Sequence, residues 1–188
     1  MNEIIKKSIA SHINTVELLD ENILSEIDTA SLLIVNALKK NHTVFWCGNG
    51  GSASQANHLS AELVGGMYKK KIKSFQSICL NVDTAFITAW SNDDSFDNIF
   101  VRQLEALGNN DDVVILLSTS GNSQNIINAI KCAKSKGIKF ISLTGNDGGE
   151  AKKLGGINVN IKTDDTQRIQ EMHILIGHII CDIVEKSL

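Results

Sequence analysis

The chain has 188 residues, 43% hydrophobic and 21% charged, with a formal net charge of −3. That length suits one domain with a full core, and the composition is that of an ordinary globular protein, neither disordered nor fibrous. The small negative charge gives no electrostatic reason to expect nucleic acid, and no apolar run approaches the ~18 residues of a membrane span.

The opening Met1-Asn2-Glu3-Ile4-Ile5-Lys6-Lys7 leads into amphipathic sequence and does not read as a signal peptide. Cys47, Cys79, Cys132 and Cys181 form no Cys-x-x-Cys pair. Each falls in an expected strand or helix, where a buried free thiol is the ordinary reading. A reduced, cytoplasmic protein is expected.

Residues 1 to about 40 read as helical. Ile5, Ile9, Ile13, Val16 and Leu19 recur at three- and four-residue spacing, and Ile23, Ile27, Ala30, Ile34 and Leu38 do the same. Asp20-Glu21-Asn22 interrupts the first pattern and suits a cap for the second helix. Two such helices exceed what a minimal α/β sandwich requires. Their apolar surface can cover this subunit's sheet or pack on another subunit.

From Thr43 the pattern alternates strand and helix, which argues a parallel sheet. Strands are expected at about 43–47, 75–80, 112–117, 138–143 and 157–161. Helices are expected at 52–64, 83–91, 96–107, 123–136, 149–154 and 165–186. Gly65-Gly66 and Gly137 supply helix ends, and no proline contradicts any element. The fold class is α/β: a three-layer sandwich about a five-stranded parallel sheet, preceded by two N-terminal helices. The organisation is a single unit, 1–188, with helices at 1–40 and an α/β core at 43–188. The lysine run Lys69, Lys70, Lys71 and Lys73 reads as a solvated loop.

Three strands end in similar polar corners: Gly48-Asn49-Gly50-Gly51-Ser52, Ser118-Thr119-Ser120-Gly121-Asn122-Ser123 and Thr144-Gly145-Asn146-Asp147-Gly148-Gly149. In an open parallel sheet the strand carboxyl ends line one edge, where ligands bind, so two or three of these corners can converge on one ligand. The first corner offers free helix N–H groups to an anion. It lacks the Gly-Lys-Ser/Thr of a Walker loop. Gly48-x-Gly50-x-x-Ala53 matches a loose dinucleotide fingerprint, but Leu80-Asn81-Val82 carries no acidic residue for a ribose. No nucleotide cofactor is expected. The second corner packs four hydroxyls into six residues, more than an N-cap needs, and suits a phosphate held by neutral donors.

His58 and Glu62, four residues apart, share a helical face. Alone they would be a surface pair of little worth. In the closing helix, Gln170 and His178 fall on one stripe two turns apart, while His173 reads as a core-edge histidine bonded to backbone. A His/Glu/Gln/His set on two helices can bind zinc, or can act as acid and base without metal.

With these residues in order, the chain resembles the sugar isomerase (SIS) domain family, in its bacterial phosphoheptose isomerase branch. The residues that carry the resemblance are Cys47-Gly48-Asn49-Gly50-Gly51-Ser52, His58-x-x-x-Glu62, Ser91-Asn92-Asp93, the 118–123 corner, Leu143-Thr144-Gly145-x-Asp147-Gly148-Gly149, Arg168-Ile169-Gln170-Glu171-x-His173, and His178. The match spans the chain. It implies a flavodoxin-like SIS fold and the interconversion of sedoheptulose 7-phosphate with D-glycero-D-manno-heptose 7-phosphate, toward ADP- or GDP-heptose for lipopolysaccharide or capsule.

The resemblance also implies a homotetramer with sites at subunit interfaces, and zinc held by His58, Glu62, Gln170 and His178. Phosphate would lie on Ser118, Thr119, Ser120 and Ser123. The sugar would lie on Asn49, Gly50, Gly51, Ser52, Asn92 and Asp93, with Glu62 and Gln170 also at the substrate. Glu62 is then the base and His178 the acid. Some relatives carry an aspartate where this chain has Gln167, and its role is not carried over. Two rival readings remain. One is a non-catalytic relative that binds the replication initiator, a class lacking the equivalents of Glu62 and His178. The other is an isomerase of a different phosphosugar. Neither nucleic acid nor membrane is expected as a partner.

Overall fold

The computed structural model describes residues 1–68 and 74–188. The lysine run at Lys69, Lys70, Lys71 and Lys73 lies outside the described residues.

Helix α1 (Asn2–Val16) and helix α2 (Glu21–Lys39) come first. Between them Asp20 takes the N-cap position, its side chain accepting from the Ile23 N–H at 3.0 Å, as its place in the sequence suggested. The two helices differ in what they bury. Ile23, Ile27, Ala30, Ile34 and Leu38 of α2 are all buried. On α1 only Thr15 is buried, and Ile5, Ile9 and Ile13 are 56%, 56% and 51% exposed. So α2 covers the sheet, and the apolar stripe of α1 is left uncovered.

The core then alternates as the sequence predicts. Strand β1 (Val44–Gly48) leads to α3 (Gly51–Gly65), and β2 (Ser77–Cys79) to α4 (Thr84–Asp93). A 3₁₀ turn, Phe96–Asn98, runs into α5 (Ile99–Leu107). Next come β3 (Val113–Ser118), α6 (Gln124–Lys136), β4 (Lys139–Gly145), α7 (Gly149–Lys153), β5 (Ile157–Ile161) and α8 (Thr166–Ser187). Among the described residues the sheet has five strands in the order β2-β1-β3-β4-β5, every pair parallel. That is the flavodoxin-like order, and its switch point lies between β1 and β3.

Side chains alternate across the sheet. Val44, Trp46, Val113, Ile115 and Leu117 join α2, α3 and α8 in one core; Phe45, Cys47, Val114 and Leu116 join α5 and α6 in the other. Strands buried on both faces read as continuous apolar runs, which is why Val113–Leu117 was so legible. Helices α3 and α6 thus leave the switch point on opposite faces. All four cysteines are free; three are buried and Cys132 is half-buried. Among the described residues no helix is long and apolar enough to cross a membrane.

Candidate active site

The glycine corner after β1 is pinned from the β2 side. Asn81 accepts the Gly48 N–H through Oδ1 at 3.1 Å and donates from Nδ2 to the Gly48 carbonyl at 2.9 Å. Its side chain thereby extends the sheet beyond β2. The N–H groups of Ser52, Ala53 and Ser54 turn back to the carbonyls of Asn49 and Gly50. The anion cradle expected here is therefore largely spent on the turn itself.

The serine corner is different. Ser123 occupies the N-cap of α6 yet makes no side-chain cap hydrogen bond. Its Oγ lies 3.4 Å from Ser118 Oγ. Capping was the rival explanation for these hydroxyls, and Ser123 does not act as a cap. Ser120 Oγ accepts the Asn122 N–H at 3.1 Å, and Thr119 stands half-buried beside it.

The third corner, after β4, buttresses the second. Gly145 N–H donates to the Thr119 carbonyl at 3.0 Å, Ala151 N–H to the Gly121 carbonyl at 2.9 Å, and Glu150 N–H to Asn122 Oδ1 at 2.9 Å. Behind it, buried His173 donates from Nε2 to the Thr144 carbonyl at 3.1 Å. This is the backbone-bonded histidine the sequence suggested.

Burial pushes the His173 pKa down to about 4, the Thr144 hydrogen bond offsetting only part of that. Its folded value lies below the ordinary 6.5, so between those values the unfolded chain binds more protons. The contribution is therefore full above pH 6.5 and falls away towards pH 4, by roughly 3 kcal/mol. Urea unfolding at pH 7 and pH 5 is expected to show a smaller acid loss in His173→Gln than in the wild type. Equal losses would contradict this.

Helices α3 and α8 bring the histidines together. A Cβ at Gly177 would fall within 2.7 Å of Leu59 Cδ2, so the helices approach closely there because the residue is glycine. Beside that contact His58 Nε2 lies 2.9 Å from His178 Nε2 and 3.4 Å from Glu62 Oε1. The rings meet edge-on, centroids 5.1 Å apart. The ligand atoms of His58, Glu62 and His178 all lie within 4.8 Å of one another. A zinc ion bonded at ~2.0–2.1 Å sets the ligand atoms of a tetrahedron roughly 3.3 Å apart, so this spacing fits a metal. Side-chain exposure of 49% at His58 and 23% at Glu62 keeps the cluster open to a ligand.

Gln170 lies nearer the glycine corner, its amide against Gly51. Its backbone carbonyl accepts from Gln55 Nε2 at 2.7 Å. Eight residues of helix set it about 12 Å along the axis from His178. Asn92 and Asp93 end α4, exposed and bonded to each other at 2.8 Å. That helix packs chiefly on the 3₁₀ turn and α5.

The SIS domain family model matches residues 9–145. The chain is 44% identical to the phosphoheptose isomerase of a Nitratiruptor species, covering all of both chains. It is similar in structure to a phosphoheptose isomerase from Neisseria gonorrhoeae, with a TM-score of 0.93 at 34% identity over 98% of each chain. A second, from Francisella tularensis, has a TM-score of 0.94 at 33% identity, covering 98% of this chain and 97% of that one.

The chain belongs to the phosphoheptose isomerases of the SIS domain family.

Within this SIS domain chain, several site residues escaped sequence reasoning. Asn81 and Asn125 brace the glycine corner, and Gln55 ties α3 to α8. Gln55 shares a helical stripe with His58 and Glu62, which the spacing could have flagged. Gly177, a glycine inside a long helix, was the available signal for close packing. Nothing in the local sequence marks the asparagines, because their partners lie 33 and 76 residues away.

Proposed function

We propose that this chain interconverts sedoheptulose 7-phosphate and D-glycero-D-manno-heptose 7-phosphate as an aldose–ketose isomerase, supplying heptose for surface polysaccharide. The observation that carries the reading is the meeting of His58, Glu62 and His178 at the α3–α8 contact.

The reaction moves a proton between adjacent carbons through an enediol. In the ketose-to-aldose direction, Glu62 carboxylate takes a proton from C1 while His178 delivers one to O2. The enediol then loses its O1 proton to His178, and Glu62 returns a proton to C2. No atom is gained or lost. Ser118, Thr119, Ser120 and Ser123 hold the phosphate, with hydroxyls and loop N–H groups as neutral donors. Asn49, Gly50, Gly51, Ser52 and Gln170 line the sugar, with Asn92 and Asp93 also assigned to it.

His58, Glu62 and His178, with Gln170 as the fourth, would hold zinc. When bound, the metal would act as a Lewis acid on the substrate oxygens. The spacing of His58, Glu62 and His178 supports those three as donors, while Gln170 is assigned by resemblance alone.

We also propose that residues 1–188 act as one unit whose helices at 1–40 serve assembly. The uncovered Ile5, Ile9 and Ile13 stripe supports a homotetramer with sites at subunit interfaces. Free cysteines fit a cytoplasmic setting. The test is a heptose phosphate isomerase assay beside a pull-down with replication initiator. Turnover without capture supports the enzyme; capture without turnover overturns it.

A further inference from the structure

Asn49 and Asn125 face each other across the switch point. Asn49 is the first residue after β1, and Asn125, 2% exposed, lies in the first turn of α6. Each amide donates to the other: Asn49 Nδ2 to Asn125 Oδ1 at 2.9 Å, and Asn125 Nδ2 to Asn49 Oδ1 at 2.8 Å. Such a pair fixes both amide planes and leaves each side chain one N–H and one lone pair. Asn125 spends its second lone pair on the Ile126 N–H at 2.9 Å. Asn49 is half-exposed, so its remaining N–H and lone pair are available at the corner. With Asn81 clamping Gly48 from the other flank, the glycine corner cannot shift without breaking one amide or the other.

The link joins the glycine and serine corners directly. Backbone alone connects them only through adjacent strands, β1 and β3. A phosphorylated sugar occupies both corners at once, whereas a bare anion touches one.

We propose that Asn125 is a positioning residue: its pairing with Asn49 sets the spacing of the two corners and thereby selects ligands that span both. This rests on the reading above, in which those corners hold the sugar and its phosphate.

The test is a cycle of four proteins: wild type, Asn49→Ala, Asn125→Ala and the double variant. Calorimetry measures binding of sedoheptulose 7-phosphate and, separately, of inorganic phosphate. Each single variant is expected to weaken the sugar phosphate about tenfold while changing inorganic phosphate less than about twofold. The double variant is expected to bind within about twofold of Asn49→Ala, because once Asn49 is gone the pair is already lost and removing Asn125 costs nothing further. Equal weakening of both ligands would overturn the proposal, as would additive losses in the double variant. So would a wild type that prefers neither ligand.

If Asn125→Ala does not fold, Asn125→Asp keeps the shape and the acceptor, and is judged on its coupling to Asn49→Ala alone. Wild-type turnover is recorded in parallel. Coupled binding without turnover sinks the isomerase reading and leaves the pairing; turnover without coupling sinks only the pairing.

Discussion

Glu62→Gln is expected to lower kcat for sedoheptulose 7-phosphate by about a thousandfold, within the range that a positioned acid or base contributes. The substitution keeps the side chain's size and hydrogen-bonding reach but removes the group that accepts the carbon-bound proton. Folding should survive. The Glu62–His58 pair is part-exposed, and such pairs contribute under about 1 kcal/mol. Glu62 also stands in the metal-fitting cluster, so zinc content is measured with the rate. A large loss of rate at unchanged zinc content assigns the proton transfer to Glu62. Near-normal turnover would remove it from that role.

Gly121→Val is expected to raise KM for the sugar phosphate by about a hundredfold. Gly121 has φ +64°, where a β-branched residue is strained by roughly 1–3 kcal/mol. A Cβ there would also overlap the Gly148 carbonyl. The serine corner and its buttress would have to separate, breaking the bonds from Gly145 and Ala151 that hold it. At 1.4 kcal/mol per decade, 2–3 kcal/mol of lost organisation gives that KM change. Inorganic phosphate, as a competitive inhibitor, should weaken in parallel because its own subsite is disturbed. Unchanged KM and unchanged phosphate inhibition would show that the corner does not hold phosphate.

Periodicity made most of the fold legible. The apolar run at Val113–Leu117 and the alternation of strand with helix gave the parallel sheet. Asp20, read as a cap, is one. Strand β2 was the least legible element. It was expected over 75–80 and covers Ser77–Cys79; just outside those ends the backbone still bonds to β1 at Gln76 and Leu80, and only at Gly48 does the Asn81 side chain take over. The N-terminal helices read alike in sequence yet divide the work. A stripe of isoleucines shows that a face is apolar, but not what will cover it.

The site was legible where chemistry is local. His58 and Glu62 are four residues apart, and the serine hydroxyls are contiguous. Composition alone could not tell the buttress from a binding corner. The third corner resembles the other two, but its role is set by long-range hydrogen bonds to Thr119 and Gly121. Asn125 was hidden for the same reason, since its partner stands across the sheet.

The most direct measurement is turnover of sedoheptulose 7-phosphate by folded, zinc-loaded protein in deuterated water. The account predicts formation of the aldoheptose phosphate, with solvent deuterium entering at the carbon that Glu62 reprotonates. Folded, zinc-loaded protein that leaves the ketose unchanged and undeuterated would contradict it.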